Sequence, residues 1–153
     1  MKLKYFFSFA LISVALSAIN LQAQNDYPTI ERSTDWVLYQ ESNGVQQYYM
    51  YSECNIPEEG FFREYVLVKL VNTTDQIKYV DWDVVKWYGE NCVNPDANIQ
   101  EQHRSVMLQQ NETVEGSCAL DTDKTLKMFS KFLNYKFDDW VLSHFELRNF
   151  TVK

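Results

Sequence analysis

The chain has 153 residues, with 14 Lys plus Arg against 21 Asp plus Glu and a formal charge of −7. An acidic chain without a basic cluster in its sequence is a poor match for phosphate backbones or anionic lipid, so no nucleic acid or membrane-surface partner is expected. Ten Tyr, ten Phe and four Trp suit pleated, half-buried strands, and only four Gly and three Pro exclude collagen-like or flexible-linker segments.

The start of the chain reads as a secretory signal. Lys2 and Lys4 give a short positive opening, and residues 5–19 are an apolar run broken only by Ser8, Ser13 and Ser17. A spanning helix needs about 20 apolar residues, so the run suits a signal core better than an anchor. Cleavage is expected after Ala23, and no cysteine follows the run to carry a lipid. Removing 23 of the 153 residues leaves 130, enough for one hydrophobic core. With Lys2 and Lys4 gone, 12 basic residues face 21 acidic ones, a net charge of −9. The division is therefore a signal peptide over 1–23, a loose lead-in over 24–35 and a single β-sandwich domain over 36–153.

Strand signals then recur along the chain. A first strand over 36–39 and a returning strand over 45–51 flank Asn43-Gly44, a dipeptide that tolerates positive φ and marks a hairpin. Val45, Tyr49 and Tyr51 share one face of the second strand. Residues 64–71 are apolar on both faces, with Val66, Val68 and Leu70 together, which predicts a central strand. Over 77–88, Val80, Trp82 and Val84 alternate with Asp81 and Asp83; Val85 and Trp87 then break the phase, and a bulge near Val84-Val85 would reconcile the halves. Shorter strands are expected over 105–108 and 114–118. Residues 126–133 fit either a strand or, with aspartates ahead as caps, a short helix near 123–133; their length favours the strand. A last strand over 144–152 turns Phe145 and Leu147 inward, with Phe150 and Val152 out of phase.

About seven short strands separated by turns predict an all-β, two-sheet antiparallel sandwich. The segment 65–88, a long strand, an Asn-Thr-Thr turn and a second strand carrying Trp82, resembles the central hairpin of immunoglobulin-like sandwiches. The stretch 108–118 resembles the turn and strand that follow it. The chain looks similar to small exported immunoglobulin-like β-sandwich proteins of Gram-negative bacteria, a likeness that implies the fold and brings no functional residue.

Three cysteines in a chain bound for an oxidising compartment predict one disulfide and one thiol. In the sandwich all three fall at one pole. Cys54–Cys118 is the expected pair, because antiparallel neighbours bring the start of one strand to the end of another; Cys92–Cys118 is the alternative. No Cys/His spacing matches a zinc site, so no metal and no cofactor is expected.

Catalytic signals are sparse. His103 and His144 sit on strands or their edges, without a nucleophile motif or a phosphate loop. Asp81 and Asp83 project from one strand face roughly 7 Å apart, a carboxylate spacing that any acidic strand face meets. Asp121/Asp123 and Asp138/Asp139 are the other acidic pairs. Asn94, Asp96 and Asn98 alternate like calcium ligands but lack the glycine and distant glutamate of a calcium loop, so turn chemistry explains them. Trp36, Trp82, Trp87 and Trp140 offer stacking surfaces; Trp82 is expected in the core, and Trp87, Tyr88 and Trp140 nearer the surface. The sequons at Asn72, Asn111 and Asn149 matter only in a eukaryotic secretory pathway. The expectation is a secreted or periplasmic, non-catalytic binding or structural module with an unknown protein or glycan partner. An enzyme with a shallow carboxylate site acting on glycans is the alternative.

Overall fold

A computed structural model describes residues 30–95, 100–120, 124–135 and 140–153. The signal segment, together with Asp96, Asn98, Asp121, Asp123, Asp138 and Asp139, lies outside the described residues. The chain folds as an all-β sandwich of two antiparallel sheets, as the alternation predicts.

The first sheet runs β1 (Val37–Ser42), β2 (Val45–Ile56), β3 (Phe61–Asn72), after which two short strands share the far edge of β3. There β7 (Thr113–Glu115) pairs with residues 69–71, and β8 (Lys127–Phe132) pairs with residues 63–67. In the second sheet β4 (Lys78–Tyr88) is central, with β9 (Leu142–Val152) on one side. On its other side β6 (His103–Leu108) pairs with residues 78–83 and β5 (Asn91–Cys92) with residues 87–88. No helix among the described residues is long and apolar enough to cross a membrane.

The Asn43-Gly44 turn forms as predicted, with φ of 46° and 77° at its two residues. It sets the β1–β2 register that turns Val45, Tyr49 and Tyr51 into the core. Two other expectations are corrected, and over 126–133 the favoured strand forms rather than the alternative helix. Residues 65–88 are not a hairpin: β3 and β4 belong to different sheets, so Trp82 and Val68 bury from opposite sides of one core. Among the described residues 124–133 no α-helix forms. A single 3-10 turn, Lys124–Leu126, leads into β8, where pairing with β3 supplies hydrogen bonds that eight residues of helix could not match. The bulge lies on β9, not at Val84-Val85, which pair in register with Leu147 and Glu146. Opposite Trp82, β9 carries one extra residue, with Asn149 at φ 55°. That step is why Phe150 and Val152 fall out of phase with Phe145 and Leu147.

Side chains close one flank of the sandwich. Gln40 donates its amide to the Leu147 carbonyl at 3.1 Å, Asn43 donates to the Val152 carbonyl at 3.0 Å, and Leu147 N–H donates to the Tyr39 hydroxyl at 3.1 Å. Part of the free backbone edge of β9, at Leu147 and Val152, is thereby satisfied from β1 and the turn that follows it. Residues 30–36 add to this flank rather than hanging loose. Ser33 O accepts from Tyr51 N–H at 2.7 Å, and Arg32 lies over the Tyr51 ring while pairing with the buried Glu64.

The opposite flank is built differently. After β7 the chain leaves β3, is tied to β2 by a Cys54–Cys118 disulfide, and returns as β8. Cys92 is the free thiol. The crossing is tight at Gly116, where a Cβ would stand 2.1 Å from the backbone oxygen of Leu126. The disulfide is the expected pair, but Cys54 lies within β2 and β3 stands between β2 and β7, so the bond ties Cys118 across β3 to the first sheet.

Candidate functional site

The carboxylates singled out by the alternation of β4 are engaged by neighbours. Asp83 accepts from His103 Nδ1 at 2.9 Å and from the Asn149 amide at 2.7 Å. Asp81 pairs with His103 Nε2 at 3.7 Å and with Lys153 Nζ at 3.7 Å. Burial opposes the charged form of Asp83, but the hydrogen bonds from Asn149 and His103, with the imidazole's charge, outweigh it and hold its carboxyl below the usual range. The two carboxylates and His103 thus form a linked group along neighbouring strands. The other histidine, His144, lies against the Trp87 ring with centroids 4.8 Å apart and pairs with Glu146 at 3.5 Å.

Asn94 does not sit in a cation loop. It is buried, and its amide completes a sheet: the Nδ2 group donates to Val84 O at 2.5 Å while Oδ1 accepts from Lys86 N–H at 2.9 Å. Those two backbone groups lie where β6 has ended and β5 has not begun, so the side chain stands in for the absent strand. No group of three or more His, Cys, Asp or Glu side chains among the described residues is placed to hold a metal ion. The sequons serve turn geometry. Asn72 is buried and donates to Gln76 O and Gln109 O at 2.7 and 2.8 Å, while Asn111 and Asn149 adopt positive φ.

The aromatic residues divide as expected for Trp82, which is fully buried, and for Trp140, which is 64% exposed. Trp36 lies under the Lys69 ammonium, 4.5 Å from its ring centroid. Trp87 is half-buried beside His144, and Cys92 pairs opposite it across the β4–β5 ladder.

A cavity of about 350 Å³ occupies the flank that the disulfide-held crossing borders. Both sheets line it: Arg63 and Tyr65 from β3, Lys127 and Phe129 from β8, Lys86 from β4 and Arg104 from β6. Leu120 and Lys124, from the crossing itself, complete one wall. Five of the chain's 14 basic residues therefore converge on one cavity, and none of its described lining residues is acidic.

This cluster was invisible in the sequence. Its members stand at 63, 86, 104, 124 and 127, in segments that only the fold brings together. The expectation of a chain without a basic cluster is true of the linear sequence and is corrected by the tertiary structure.

Lys86 is the most constrained member. The alternation that buries Val84 carries the Lys86 side chain toward the same interior side, where Tyr88 donates its hydroxyl to Phe129 O at 2.8 Å. Burial, with the Arg104 charge adding to it, holds the Lys86 ammonium below the ordinary lysine value. Burial likewise pushes the Tyr88 phenol up to about 12. Three of the other four cations are positioned by backbone and ring contacts. Lys127 donates to Ala119 O at 2.8 Å, Arg104 to Glu101 O at 2.6 Å, and the Arg63 guanidinium lies 4.7 Å from the Phe61 ring centroid. A desolvated ammonium beside a guanidinium is destabilised alone and relieved by an incoming anion.

Comparison with family models, curated proteins and solved structures finds no match to this chain.

Proposed function

We propose that the protein is a non-catalytic binding module, secreted or periplasmic, which holds a small anionic ligand in the cavity between β8 and the β4–β6 edge. The observation that carries this reading is Lys86, a half-buried ammonium set against Arg104 in a cavity whose described lining holds no carboxylate. About 350 Å³ suits a ring-sized ligand, at the small end of ordinary ligand sites. Aromatic walls at Phe61, Tyr65 and Phe129 supply apolar contact, and the cations supply orientation. Export is supported by the Cys54–Cys118 disulfide, a bond that persists in oxidising compartments, and by the signal-like start of the sequence. Kinship with immunoglobulin-like sandwiches belongs to the same proposal, supported by the two-sheet arrangement around Trp82.

The carboxylate-based alternative has less support, because Asp81 and Asp83 bind neighbouring side chains and neither lines the cavity. Titration calorimetry of the oxidised protein with glucuronate and with inorganic sulfate tests the reading. Saturable binding of either anion, lost in Lys86→Met, is the expected result. No binding of any anion, or equal binding by the variant, contradicts it.

A further inference from the structure

The rings at the cavity wall continue outward. Phe129, which lines the cavity, lies 4.8 Å from Phe132, and Phe132 lies 5.7 Å from Tyr135, by ring centroids. A second branch runs from Phe129 to Tyr88 at 6.4 Å and on to Trp140 at 6.5 Å. The outer members are open to solvent: Phe132 is 41% exposed, Tyr135 61% and Trp140 64%. Large exposed rings in mutual contact are costly to leave in water and mark an interaction surface. These rings adjoin the basic cavity, whose described lining holds no acidic residue, in a chain whose overall charge is −7.

The two features differ in what they ask of a ligand. The cations are gathered at one end, in a space sized for one ring. Beyond it the surface offers aromatic faces and edges. A polyanion is disfavoured, because the net negative charge of the protein repels every charge that lies outside the cavity. A ligand with its charge at one end and neutral, CH-rich rings behind it satisfies both parts. Resting on the anion-site reading above, we propose that the ligand is an oligosaccharide capped by one acidic sugar. The carboxylate or sulfate of that sugar enters the cavity toward Lys86, and the neutral sugars behind it stack on Phe132 and Tyr135 or on Trp140.

Calorimetry with five probes tests this: trisaccharides capped by a glucuronyl, sialyl or sulfated sugar, the free acidic monosaccharides, the uncapped neutral disaccharide, an acidic hexapeptide and a single-stranded oligonucleotide. At least one capped trisaccharide is expected to bind about tenfold or more tightly than its own monosaccharide. Phe132→Ala and Trp140→Ala are measured separately, both sites being exposed enough for the variants to fold. One of the two is expected to reduce the trisaccharide to the affinity of the monosaccharide and to leave the monosaccharide unchanged. A monosaccharide that binds as tightly as every trisaccharide overturns the glycan assignment and leaves the anion site standing. Preference for the peptide or the oligonucleotide overturns it equally. Failure of every anionic probe overturns both.

Discussion

Lys86 holds a charge in a place where burial works against it, and that cost is the reason the cavity favours an anion. Its folded pKa lies below the ordinary 10.5, so the charged form costs stability at neutral pH. The cost is relieved as pH rises through the lowered value toward 10.5. Replacing Lys86 with Met removes the buried charge and keeps the volume. The variant is expected to unfold at a slightly higher denaturant concentration while losing more than about tenfold in anion affinity. In the wild type, affinity is expected to be highest below the lowered pKa and to fall as pH rises through it, as calorimetry across that range would show. Asp83 obeys the opposite sign. Its folded pKa is lowered from 3.8, so its contribution is present above that value and disappears as pH falls through the folded one. Asp83→Asn is expected to cost about 1–3 kcal/mol at pH 7 and to become nearly neutral in strong acid, measured by urea unfolding at both. A single residue's chemistry was only partly legible in advance. Asn94 sits among alternating oxygen ligands in the sequence, and only the gap between β5 and β6 reveals it as a substitute for a strand.

The crossing from β7 to β8 decides the shape of the cavity at the scale of an element. Both strands pair with the same edge of β3, and the chain between them is held by Cys54–Cys118 and by the close approach at Gly116. The bond spans 64 residues, for which loop-closure entropy gives about 4 kcal/mol of stabilisation. A Cys54→Ala/Cys118→Ala double variant is expected to lose up to that amount in denaturant unfolding. It should also bind the anion more weakly, because Leu120 and Lys124 lose their support. Gly116→Ala forces a Cβ against backbone, so a loss of about 1–3 kcal/mol is expected in the same assay, with the wall displaced. The strand pattern was readable because alternation is local: the Asn-Gly hairpin, β3 and the inward face of β2 all formed where the residues pointed. The bulge was misplaced because a phase change in β4 and one in β9 look alike in sequence. Asn149 at φ 55° resolves which strand carries it. The pairing of Cys54 with Cys118 was legible from cysteine count and coarse strand placement, but its geometry was not: Cys54 lies within β2, and β3 stands between β2 and β7, so the chain crosses β3 to make the bond.

The whole molecule combines a net negative charge with a cationic site on one flank, and net charge concealed the second behind the first. A charge of −7 correctly describes the field met at long range, while the cavity acts within a few ångströms, inside the Debye length of physiological salt of about 8 Å. One flank of the sandwich is sealed by Tyr39, Gln40 and Asn43 on the edge of β9; the other is left to β8, β6 and the disulfide-held crossing. That second flank is where the cations and exposed rings meet. The central claim is that this flank binds an anion at Lys86. Amide chemical-shift mapping of the oxidised, isotopically labelled protein during a glucuronate titration tests it most directly. Saturable shifts are predicted at Arg63, Tyr65, Lys86, Arg104, Lys127 and Phe129, and their loss in Lys86→Met. Shifts centred on His103, Asp81 and Asp83, or shifts unchanged by the substitution, would contradict it.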